Sequence, residues 1–132
     1  MDGVVTKMTK LVPEIKAEWI AALRSGEYKQ RSGGLRHGDT YCCLGVLCEI
    51  AVKHGIISTK KASSLSNIYL YDGSVGAPPQ SLVQWAFGTE SYIPRDKYVV
   101  HTDTFGSRNL IFYNDVAGYT FNQIADLIEK DL

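Results

Sequence analysis

The sequence predicts an α+β fold: a small single domain over residues 1–132, with a helical core of about four helices and a small antiparallel sheet. Three observations predict it. Apolar residues recur at helical spacing near both ends of the chain and around the cysteines. Between them lie short runs of aromatic and β-branched residues closed by glycine turns. A chain of 132 residues, 45% hydrophobic and 21% charged, suits one packed core and not a disordered segment.

The first helix is expected over Pro13 to Arg24, where Trp19, Ile20 and Leu23 share a face with Val12 and Ile15. Pro13 fits the first turn and Gly26 the stop. Gly33-Gly34 and Gly38 mark turns around Leu35, a lone apolar anchor. A second helix is expected from Thr40 to Lys53, burying Cys43, Val46, Leu47 and Ile50, with Leu44 and Ala51 widening the stripe. Gly45 within it costs up to about 1 kcal/mol relative to alanine, which implies close approach of another backbone. Ile56 to Ser66 reads as a polar connection, and Ile68-Tyr69-Leu70-Tyr71 before Asp72-Gly73 as a strand and turn.

"GAPPQSLVQWAFG" contains a short helix that begins at its prolines, and "YVVHTDTFG" a strand closed by Gly106. Leu110 to Tyr113 is apolar, helix or strand, and turns at "NDVAG". Thr120 and Gln123 form a capping box ahead of Phe121, Ile124, Leu127 and Ile128, which predicts a terminal amphipathic helix.

Composition narrows the function. Fourteen basic side chains balance fourteen acidic ones, so the global field that supports non-specific nucleic-acid binding is missing. "T-F-x-x-I-A" resembles the opening of a helix-turn-helix unit, but no second helix follows to enter the major groove. No stretch approaches the roughly 20 apolar residues of a membrane helix. Met1–Lys10 has no apolar run of the kind a secretory signal needs. Cys42, Cys43 and Cys48 are an odd number in one short segment, which fits a reduced, cytoplasmic setting. Neither their spacing nor the scattered His37, His54 and His101 suits a metal site, and no cofactor is implied.

The basic loop is the most informative stretch. Arg24, Lys29, Arg31, Arg36 and His37 lie within fourteen residues and lead into a helix N-terminus. Guanidinium forks, glycine-loop amides and the helix dipole together favour a phosphate. Tyr28 and Tyr41 bracket the loop and, with Trp85, are candidates to stack on a base. The bland alternative is a solvated turn. Cys42 in a first helical turn would have a lowered pKa and be a candidate nucleophile, although free cysteines are commonly buried and inert. Asn114 and Asp115 either cap their own turn or contact a ribose or adenine edge.

"LRSGEYKQ", "GDTYCCLGVLCEIA", the prolines ahead of Trp85 and the closing "ND-x-x-G-x-TF-x-x-IADLIE" resemble a family of small bacteriophage proteins, over Trp19 to Leu132. The resemblance implies a phage accessory protein acting in the host bacterial cytoplasm. Some phage proteins of this size counter host defence by sequestering nucleotide messengers. The expected function is therefore binding, without chemistry, of a small phosphorylated nucleotide of the cyclic ADP-ribose or cyclic dinucleotide type. Arg24, Arg31 and Arg36 would neutralise its phosphates, in a monomer or a homo-oligomer. One alternative is an enzyme that cleaves such a nucleotide through Cys42, Asp115 or a histidine. The other is a protein-binding inhibitor of a host factor.

Overall fold

The computed structural model describes residues 11–88 and 98–132; the opening stretch Met1–Lys10, read above for a signal, lies outside them. Taking the elements in chain order, α1 spans Pro13–Arg24, followed by three short strands, β1 (Lys29–Gln30), β2 (Arg36–His37) and β3 (Thr40–Tyr41). The helix α2 (Cys43–Lys53) then precedes β4 (Thr59–Lys61) and β5 (Tyr69–Tyr71). After α3 (Gln80–Phe87) come β6 (Val99–Thr102), β7 (Gly106–Asn109), α4 (Leu110–Asp115) and α5 (Phe121–Asp131).

The core is built around α2. Every residue from Cys43 to Cys48 is buried, as are Ile50 and Ala51, so the expected stripe becomes almost the whole circumference. A helix apolar all round must be covered on every side. Against it α1 packs Ile15, Trp19 and Leu23, and the Trp19 indole N–H donates to the Cys43 carbonyl at 3.0 Å. Leu110 and Tyr113 of α4 close a further side. α5 lies along α1 and buries Phe121, Ile124, Ala125, Leu127 and Ile128. The Val12 N–H donates to the Ala86 carbonyl at 2.8 Å, tying α3 to the start of α1.

The sheets are peripheral. The first has the order β1-β3-β2, with β1 parallel and β2 antiparallel to β3. β4 and β5 form an antiparallel pair, joined to β2 by a bridge between His37 and Ile68. Their chain reverses after β5 at Asp72 and Gly73, both with positive φ (49° and 85°), as the Asp-Gly pair predicts. β6 and β7 form a hairpin against α5.

Several boundaries differ from the sequence-based expectation. Thr40 and Tyr41 are a strand, and α2 begins only at Cys43, because the Cys42 sulfur caps it by accepting the Gly45 N–H at 3.4 Å. The polar connection Ile56–Ser66 contains β4, and Gly106 opens β7 instead of closing β6. The apolar segment Leu110–Tyr113 is helical and continues through Asp115, so the "ND" pair belongs to a helix and not to a turn. The capping box stands as predicted. Thr120 Oγ1 accepts the Gln123 N–H at 3.1 Å and Gln123 Oε1 accepts the Thr120 N–H at 2.9 Å. Such a cap contributes about 1 kcal/mol.

Candidate functional site

The basic loop and the C-terminal helices meet on two side-chain amides. Asn114, in the last turn of α4, is 2% exposed. Its Nδ2 donates to the Arg31 carbonyl at 2.7 Å and to Asp115 Oδ1 at 2.8 Å. Its Oδ1 accepts from Gln30 Nε2 at 2.9 Å and from the Cys43 N–H at 3.2 Å, a donor that the first turn of α2 leaves without an intrahelical partner. Gln30 continues the lattice: Nε2 also donates to the Tyr119 carbonyl at 2.8 Å, and Oε1 accepts the Phe121 N–H at 3.0 Å. Two amides thus hold β1, the start of α2, the end of α4 and the start of α5 in one arrangement.

A cleft of about 260 Å³ opens beside this latch, lined by Gln30, Arg31, Ser32, Asn114, Gly118, Tyr119 and Thr120. The four N–H donors of the two amides in its wall are all engaged, so the side-chain donors left among its lining residues are those of Arg31 and the hydroxyls of Ser32, Tyr119 and Thr120. The half-buried Arg31 guanidinium donates through Nε to the Gly33 carbonyl at 2.8 Å and through Nη1 to Thr40 Oγ1 at 3.4 Å. A guanidinium has five N–H donors, so three remain. No carboxylate pairs with Arg31 among the described residues.

The other cations of the loop do not join it, which corrects the expectation of three converging arginines. Arg24 reaches across to α5 and pairs with Asp126 at 2.7 Å and Glu129 at 3.3 Å. Arg36 pairs with Glu49 of α2 at 3.3 Å, lies over the Tyr69 ring at 3.7 Å, and shares Glu49 with the Tyr71 hydroxyl. Lys29 pairs with Asp39 at 3.4 Å on the surface. Each of these cations has an acidic partner of its own.

The expected stacking residues are likewise engaged. Tyr28 and Tyr41 stand edge to face at 5.0 Å, and Tyr41 is buried beneath Arg36. Trp85 packs on His54 just past the C-terminal end of α2, roughly 16 Å of helix from Cys42 at its N-terminal end. Asp115 accepts from Asn114 and lies outside the cleft wall.

Cys42 does occupy the helix cap, yet burial pushes its thiol up to about 11, outweighing the Gly45 N–H that would lower it. Burial raises Cys43 and Cys48 as well. A neutral, enclosed thiol is a poor nucleophile. At pH 8 a disulfide-exchange reagent should label none of the three thiols in the native protein and all three in denaturant; rapid native labelling of Cys42 would contradict the burial. A raised native pKa also means that the unfolded chain ionises first. The Cys42 contribution to stability is therefore intact below pH 9 and is lost as pH rises through about 11.

Thr120 stands out in the sequence only as a helix cap, and Ser32, Tyr119 and the structural amide Gln30 are not site candidates there. No local pattern marks these three: Gln30 meets Asn114 and Phe121 across 84 and 91 residues.

No curated protein and no solved structure matches the chain. A family model, described as a domain of unknown function (DUF8296), matches residues 11–132, and the chain therefore belongs to that family.

Proposed function

We propose that this protein holds a small phosphorylated ligand at the Arg31 cleft, without chemistry. As a phage accessory protein in the host cytoplasm it would thereby withdraw a nucleotide-type immune signal, such as a cyclic ADP-ribose isomer or a cyclic dinucleotide. The observation that supports binding is Arg31 itself: a half-buried guanidinium with unused donors, no acidic partner among the described residues, and hydroxyls of Ser32 and Thr120 on the same wall. Charge-assisted bonds to such a fork are about twice as strong as neutral ones.

Size limits what enters. At about 260 Å³ the cleft lies below the roughly 300–1,000 Å³ of drug-sized sites. It accommodates one phosphate and its sugar, and the rest of a larger nucleotide extends over the open side. The cleavage alternative through Cys42 is weakened by the neutral, enclosed thiol described above.

Ribose 5-phosphate at a hundredfold excess over its Kd should raise the melting temperature by roughly 10 °C. Arg31→Ala should remove that shift, and Arg24→Ala, which removes a guanidinium paired to α5 and outside the cleft wall, should leave it intact. Equal shifts in Arg31→Ala and the parent would refute the assignment. For a nucleotide ligand, chromatography after heat release separates sequestration, with the ligand intact, from cleavage, with new products.

A further inference from the structure

Away from the Arg31 cleft, we infer that the tip of the β4–β5 hairpin of one copy seats in a groove beside α1 and α5 of a second copy, joining chains head to tail. The hairpin supplies the knob. Leu65, in the loop between its strands, is 98% exposed. A lone exposed leucine needs no explanation, but this one stands on a loop bonded to itself. The Ala62 N–H donates to the Ile68 carbonyl at 2.8 Å and the Ser66 N–H to the Ser63 carbonyl at 3.2 Å. The Leu65 and Ile68 N–H groups donate to the hydroxyls of Ser63 and Ser66 at 3.3 Å and 2.9 Å. A side chain presented on a pre-formed loop loses less freedom when a partner covers it.

The groove supplies the hole. It has a volume of about 450 Å³ and is lined by Pro13, Lys16, Ala17, Ile20 and Ala21 of α1 and by Glu129 of α5. Pro13, Ala17 and Ala21 are exposed and Ile20 is half-buried, so the described residues leave an apolar strip of α1 uncovered. Charge favours the hairpin as its occupant. Residues 55–71 contain Lys60 and Lys61, both exposed, and no acidic side chain. Neither lysine pairs with a carboxylate among the described residues. By contrast α1 carries two acids and two bases, and α5 three acids and one base, with Glu129 in the groove wall. A basic hairpin facing an acidic helix pair selects this docking over hairpin on hairpin or helix on helix, where like charges would meet. Knob and hole occupy different surfaces, so each copy can lend its hairpin to one neighbour and its groove to another.

Sedimentation equilibrium of the full chain tests the inference. The average mass should rise above that of one chain between about 1 μM and about 1 mM, the range of a small transient contact. Leu65→Ser should weaken the association at least about tenfold. Ala17→Arg, which fills the groove, should weaken it as much. Both positions are exposed, so the melting temperatures should match the parent's. Lys60→Ala with Lys61→Ala should weaken it about fivefold. An equimolar mixture of the Leu65→Ser and Ala17→Arg proteins identifies the pairing. The first keeps its groove and the second its hairpin, so together they should form one-to-one dimers and nothing larger. A parent that stays a single chain throughout, association that survives either variant, or a mixture that behaves as its separate components overturns the inference. Arg31→Ala should associate as the parent does, so failure here leaves the Arg31 reading standing.

Discussion

Gly45→Ala should lower the stability by about 3 kcal/mol or more, read as an earlier urea midpoint and a melting temperature roughly 10 °C lower. In an ordinary helix interior the same change stabilises by up to about 1 kcal/mol. The sign reverses here because a β-carbon on Gly45 would lie 1.9 Å from the Leu35 carbonyl oxygen and 2.8 Å from its carbon. The obstruction is backbone, and that backbone is pinned. The Leu35 carbonyl accepts the Cys42 N–H at 3.2 Å, and the Leu35 N–H donates to the Val75 carbonyl at 2.8 Å. Its side chain is fully buried, so retreat would also open a cavity. Gly76→Ala is the control, with nothing within 4 Å of the added carbon, and should stay within about 0.5 kcal/mol of the parent. A Gly45→Ala protein as stable as that control would mean that the loop does not sit on α2.

Asn114→Ala should cost about 3–5 kcal/mol, since the Cys43 N–H and the Arg31 carbonyl lose their partner together and each buried orphan carries roughly 1–3 kcal/mol. That is a large part of the 5–15 kcal/mol typical of a domain. Chemical denaturation measures it, and a double-mutant cycle with Gln30→Ala should show coupling of about 1 kcal/mol or more, since the two amides share a bond. Asn114→Asp distinguishes the amide's two halves. It keeps an acceptor for Cys43 but sets a carboxylate against Asp115, whose oxygen lies 2.8 Å from the Asn114 nitrogen. The new carboxyl should then titrate above its unfolded value. This variant should be least stable at neutral pH and recover relative to the parent as pH falls and the proton returns. A deficit independent of pH would mean that the two side chains move apart.

Much of the helical framework is legible in the residues themselves. Pro13 and Gly26 bracket α1, Thr120 and Gln123 announce α5, and Gly45 marks the close approach before any coordinate is seen. The sheet around the basic loop is not legible, because strands two residues long carry no alternation that a pattern can register. The candidate site divides the same way. Arg31 stands out as one cation in a basic run, but nothing in that run says that Arg24 and Arg36 will be neutralised while Arg31 has no carboxylate partner among the described residues.

What the sequence determines by itself is local: which segments coil, where they start and stop, and that a single core is apolar enough to bury α2. Periodicity and caps act within a few residues of one another, so they survive without knowledge of the fold. The tertiary structure alone decided which charges and amides meet. Arg24 finds Asp126 across 102 residues, and Gln30 finds Asn114 across 84. Such partners are set by how helices and strands pack in space, and that arrangement, not composition, leaves Arg31 at the cleft without a carboxylate partner among the described residues.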